Sequence, residues 1–202
     1  MTQGAGPGCA GERADPRISR SKAAVLAAAR QLLHDRCFFE VTVEAIAEES
    51  GVAKTTIYRH WPSREALLLD LVDDLMPPLG TIDTGSLAGD LGVAAHQLAR
   101  ALGDTSWSQA LPGLLDAAQR DAQLRRIMDI SGQARRQVVL DAFERARRRG
   151  ELPAEADTEL ATTLLAGPLF YRRLVLRDPP GPDVVERVVA AVLLVLDVEA
   201  QP

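Results

Sequence analysis

Cysteine is nearly absent from the chain, at positions 9 and 37 only, which excludes a disulfide-stapled scaffold. Cys37 is expected to fill a core position at a helix end, and a cytoplasmic location follows as the default. Aromatics make up 4% of the 202 residues, so the core must be built mainly of Leu, Val and Ala. No run of about 18 apolar residues occurs. The longest apolar stretch, VVAAVLLVLDV at 188–198, is interrupted by Asp197, which argues against a membrane span. The opening MTQGAGPGCAGERADP lacks a basic region followed by an apolar one, so no secretory signal is expected. No glycine-rich phosphate loop occurs, nor a nucleophile, base and orienting group at recognisable spacing, which makes an enzyme a poor reading. His34, His60 and His96 have no ligand partners at metal-binding spacing, so neither a metal nor another cofactor is expected.

What is present is ordinary for a folded protein: 47% hydrophobic and 25% charged residues, with a net charge of -5. The charge is unevenly spread. Residues 17–64 hold eight Lys or Arg against five acids, and residues 120–149 hold nine Arg against four. A locally basic segment in an acidic chain is compatible with a nucleic-acid partner, because distribution matters more than the sum. The second basic zone also fits a solvated helix face.

Periodicity predicts an all-α fold of about nine helices in a small N-terminal unit and a larger C-terminal one. Residues 1–16, rich in Gly, Ala and Pro, read as an arm. A first helix is expected from Ser21 to about Asp35. A second follows Thr42 as N-cap and stops at Ser50-Gly51, and a third spans Lys54 to Trp61. A fourth starts after Ser63 and runs to about Leu75, so that residues 63–76 connect a domain at 17–64 to one at 65–202. Further helices are expected near 86–103, 107–118, 121–148, 154–176 and 182–198, with a kink at Gly167-Pro168. The last has an apolar face too broad for one-sided burial. Either it runs through the middle of its domain or another subunit covers it.

The segment GVAKTTIYRHWPSREAL, residues 51–67, carries the chemistry. A helix, a glycine turn and a short second helix make a helix-turn-helix, whose second helix enters the major groove of DNA. Ile46, Ala47, Val52 and Ile57 are the positions that fix the two helices. Thr55 and Thr56 are short side chains suited to base edges, with Lys54, Arg59 and His60 as further candidates. Tyr58, Lys54 and Arg64 suit backbone phosphates. On spacing alone, the stretch also fits an ordinary surface helix with a turn.

The stretch TVEAIAEESGVAKTTIYRHWPSREALLLDLV, Thr42 to Val72, resembles the N-terminal motif of the TetR family of transcriptional repressors. The resemblance implies an all-helical homodimer that binds a double-stranded operator, with a C-terminal domain for a small effector and for dimerisation. It places DNA contacts at Thr42, Val43, Glu44, Lys54, Thr55, Thr56, Tyr58, His60 and Arg64. Glu44 stands where several relatives carry a basic side chain. LLAGPLFYRRLVLRDPP, residues 164–180, is similar to a segment of one C-terminal subgroup, and implies that the last two helices form the dimer bundle.

Expected interface residues are Leu160, Leu164, Val185, Val188, Val189, Val192 and Leu196. Candidates for the effector site are His96, Trp107, Leu111, Leu114, Met128, Phe143 and Phe170, each equally suited to core filling. The shortage of clustered polar groups points to an apolar or amphipathic effector. Three functional readings stay open: a ligand-responsive repressor of a near-palindromic operator, a constitutive regulator without an effector, and an activator.

Overall fold

The computed structural model describes residues 16–35, 40–77, 79–103 and 105–197. Nine α-helices occur among them: α1 (Pro16–Asp35), α2 (Val43–Ser50), α3 (Lys54–His60), α4 (Arg64–Leu75), α5 (Leu87–Gly103), α6 (Thr105–Arg120), α7 (Ala122–Arg149), α8 (Thr158–Leu174) and α9 (Pro182–Val195). The all-α architecture is as expected. The proposed arm, except Pro16, and Cys37 lie outside the described residues. The first helix starts at Pro16 rather than Ser21. Proline suits a first helical turn, where its missing N–H has no intrahelical acceptor to lose. Apolar periodicity, which sets in only at Val25, could not mark that start.

Helices α1 to α4 share a core of Val25, Ala29, Leu32, Ile46, Ile57, Trp61, Leu67 and Leu71. The α4 helix packs against both α1 and α7, and so belongs to both parts of the molecule. In the larger part α5 is central, packed on α6, α7, α8 and α9. The 28-residue α7, about 42 Å long at 1.5 Å per residue, buries Leu124, Ile127, Val139, Phe143 and Ala146.

Residues 79–86, between α4 and α5, are fixed by a fully buried carboxylate. Asp90 accepts hydrogen bonds from the Thr84 amide (2.7 Å) and hydroxyl (2.8 Å), and pairs with Arg145 at 3.3 Å. With partners on both sides, the charge escapes the cost of lone burial. Glu151 accepts from the Leu87 amide (2.6 Å) and thereby caps α5, and the bond from Arg149 holds its carboxyl below the usual range.

The broad apolar face of α9 divides in two. Val185, Val189, Val192 and Leu196, expected at a dimer interface, are buried within their own chain, where α9 meets α5 and α8. This corrects the expectation for Val185, Val189 and Leu196, while Val192 also borders the groove between α8 and α9: periodicity shows that a helix has two apolar faces and not which one its own chain covers. Leu164 and Val188 are half-buried and line a groove between α8 and α9 with Pro168, Val184, Ala191 and Val195. Leu160 is exposed beside them on α8, and Leu194 is 80% exposed on α9.

Candidate functional site

The helix-turn-helix is assembled by local chemistry. Thr42, in extended conformation, caps α2 by accepting from the Ala45 amide at 3.1 Å. Gly51 closes α2 with φ +67°, a left-handed conformation that favours glycine although nothing lies within 4 Å of where a Cβ would stand. Ala53 starts α3 without a side-chain cap. Ser63 caps α4 through the Ala66 amide at 3.2 Å.

The far end of α3 is held tightly. Ile57 is 1% exposed and Trp61 2%. The Trp61 indole N–H donates to Asp70 Oδ2 at 2.8 Å, and Lys22 Nζ reaches the same oxygen at 3.1 Å while lying 5.2 Å from the centre of the Trp61 ring. His60 Nε2 is 2.9 Å from the Ser21 hydroxyl, and its ring stands edge-on to Trp61 at 5.6 Å. Ser21, Lys22 and Asp70 thus fix α3 to α1 and α4, and no local motif announced them. Ser21 is 39 residues from His60 and Lys22 is 48 from Asp70, beyond the reach of any spacing rule.

With that end anchored, Lys54, Thr55, Tyr58 and Arg59 project outward, Tyr58 being 48% exposed. Thr56 and His60 are half-buried. Tyr58 and Arg59 have no hydrogen bond or ion pair among the described residues, and remain available to an external partner. Lys54 is engaged: its Nζ is 2.8 Å from Glu44 Oε1, and this bond holds the Glu44 carboxyl below its ordinary value. The acid at position 44 therefore offsets the cation beside it on the outer face.

Two carried-over positions face elsewhere. Val43 is 5% exposed and packs into the core, so at the start of α2 only its backbone amide is suited to an external acceptor. Arg64 turns toward the C-terminal part, with Nη1 4.0 Å from Asp121, the residue that caps α7 through the Gln123 and Leu124 amides. That junction joins the start of α4 to the start of α7.

A cavity of about 1060 Å³ opens between α4, α5, α6, α7 and α8, at the large end for a small-molecule site. Of the seven effector candidates, Trp107, Leu111, Met128 and Phe170 lie on its wall. His96 does not: it is on the exposed side of α5, with a ring nitrogen 2.9 Å from the Gly92 carbonyl. Leu114 and Phe143 are buried in the packed core away from the wall. The wall also carries Arg100, Arg135 and Arg136, together with Asp74, Ser131 and Thr162. The arginines were hidden in sequence among the charges of exposed faces.

Residues 25–71 match the family described as bacterial regulatory proteins, tetR family, and residues 81–192 match the tetracyclin repressor-like C-terminal domain. The HTH-type transcriptional regulator YdeS of Bacillus subtilis is 34% identical over 169 residues, 83% of this chain and 85% of its own. EthR of Mycolicibacterium smegmatis is 40% identical over 63 residues, covering 31% of this chain and 29% of its own. Among solved structures, the TetR family transcription regulator SCO0332 is 29% identical with a TM-score of 0.62, covering 90% of this chain and 100% of its own.

Proposed function

The chain belongs to the TetR family of bacterial regulators and is a sequence-specific DNA-binding transcriptional regulator, and from that premise we propose that it is a ligand-responsive repressor. Two copies paired through the α8–α9 groove place two α3 helices on successive half-sites of a near-palindromic operator. The cavity carries this reading. Its wall includes Val72, Leu75 and Met76 at the end of α4, and the same helix buries Leu67 and Leu71 beside α1, to which α3 is tied. A ligand that favours one placement of α4 shifts the population between states that can and cannot span both half-sites. So large an unfilled space favours an effector over constitutive control.

A cytoplasmic location goes with this role, and no helix among the described residues is long and apolar enough to cross a membrane. The test begins by selecting operator sequences from random DNA with the purified protein, which should return a two-fold symmetric site. A compound library is then screened for thermal stabilisation, and each hit is titrated against fluorescent operator. Hits should weaken operator binding. A protein that no compound stabilises, or whose stabilisers leave operator affinity unchanged, is a constitutive regulator.

A further inference from the structure

Resting on the reading of the cavity as an effector site, we propose that the effector is an amphipathic organic anion, an apolar body bearing one carboxylate-like group, and that Arg135 receives its charge. The cavity wall has three arginines and a single acid, Asp74. Asp74 is already paired with Arg30 of α1 at 3.3 Å, and Arg136 with Glu159 of α8. Arg100 is exposed at the end of α5, where solvent screens its charge, whereas Arg135 is enclosed. Its side chain is 11% exposed, its nearest carboxylate, Asp73, stands 3.6 Å away and also accepts from Ser131 at 3.0 Å, and its Nε–H has no acceptor. Burial pushes the Arg135 guanidinium below its ordinary pKa, with the nearby Asp73 acting in the opposite direction.

Most of the rest of the wall is apolar, with Trp107, Leu111, Met128 and Phe170 among its side chains, and Gln97, Thr162 and Thr163 are its other polar members. A largely buried cation whose nearest carboxylate is shared with Ser131 favours an anion over a neutral or cationic ligand, because a second charged partner relieves a desolvation cost that a neutral one leaves in place. Arg135 and Ser131 lie one turn apart on α7, so that one charged and one hydroxyl group face the ligand's polar end together.

The other Arg135 contacts supply a route to the DNA-binding helices. Its Nη2 donates to the Met76 carbonyl that ends α4, and its Nη1 donates to Ser131. A carboxylate that takes the guanidinium in a forked pair competes with the Met76 carbonyl and with Asp73, both at the C-terminal end of α4. The charge of the ligand is thereby read as a loosening of the helix on which α3 depends.

The probes are matched sets differing only in the head group: decanoate with decanol, and 4-phenylbutyrate with 4-phenylbutanol and 4-phenylbutylamine. Each is titrated calorimetrically into the full chain, below any micelle-forming concentration. The acid should bind about tenfold or more tightly than its alcohol, and the amine most weakly. Arg135→Gln should erase the preference and change alcohol affinity by less than about twofold.

Equal binding of acid and alcohol, binding of neither set, or a preference that survives in Arg135→Gln overturns the proposal. Should that variant fail to fold, as judged by circular dichroism, the acid–alcohol–amine order in the natural protein decides alone. Parallel titrations with fluorescent operator separate the two readings. Acids that bind without releasing DNA support the ligand class and overturn the effector role, whereas release by neutral compounds alone keeps the role and overturns the class.

Discussion

The DNA-facing unit and the cavity are built on opposite plans. The first offers side chains from residues 42–64 outward, on a frame set by Thr42, Gly51 and Ser63. The second is a space, walled by residues from Val72 to Leu174 that meet only when five helices pack. A contact surface of the first kind depends on local geometry and tolerates change elsewhere. A space of the second kind depends on every helix around it and is reshaped by distant substitutions. The shared member is α4, and the comparison predicts that damage on one side should spare the other unless it passes through that helix.

The severest test is Ile57→Asp. Placing an unpaired charge at a position 1% exposed should cost about 4 kcal/mol or more, melt the N-terminal unit and abolish operator binding. Calorimetric ligand binding should persist; its loss would show that the two regions stand or fall together. Val188→Asp comes next. The half-buried residue lines the α8–α9 groove, so the dimer should dissociate with its helicity intact, and operator affinity should fall on the order of 10²-fold as two-site binding is lost. An unchanged mass in sedimentation would move the interface to another face.

Thr55→Ala and Tyr58→Ala should each weaken operator binding about tenfold in a gel-shift titration, with dimer mass and ligand affinity unaltered. The smallest effect is expected of Glu44→Gln, which releases Lys54 and removes an acid from the DNA face. Affinity should rise a few-fold, and the salt dependence should steepen by about one phosphate contact per half-site. Because Lys54 depresses the Glu44 carboxyl, the pair's contribution is present above the ordinary carboxylate value and is lost as pH falls through the lowered one. Melting curves of the variant and the natural protein should therefore converge in acid.

The same contrast explains what could be read from sequence. Thr42, Ser63 and Gly51 were legible because capping and turns are local chemistry, and Ile57 because a short amphipathic helix has only one inward side. The burial of Val43 was not, since a resemblance transfers a position without its orientation. The two faces of α9 were visible as a pair, and only packing on α5 assigned Val189 and Val192 inward. Arg135 was one of nine arginines in a basic run. Arg125, Arg126, Arg148 and Arg149 are solvated as such a run suggests, whereas Arg135 faces the cavity. Side-chain charge pattern carries no signal for that difference.

The uneven support of α3 has a mechanical consequence. Its C-terminal end is clamped by Ile57, Trp61 and the Asp70 bonds, while its N-terminal end, uncapped at Ala53, is held by the half-buried Val52 and one exposed ion pair between Lys54 and Glu44. The helix is a cantilever. Its angle to the rest of the domain is set at the root, and the tip, where Thr55 stands, has the fewer side-chain ties. In the proposed dimer, half-sites of slightly different groove width would be met by flexing the tip, with the spacing between the two roots unchanged.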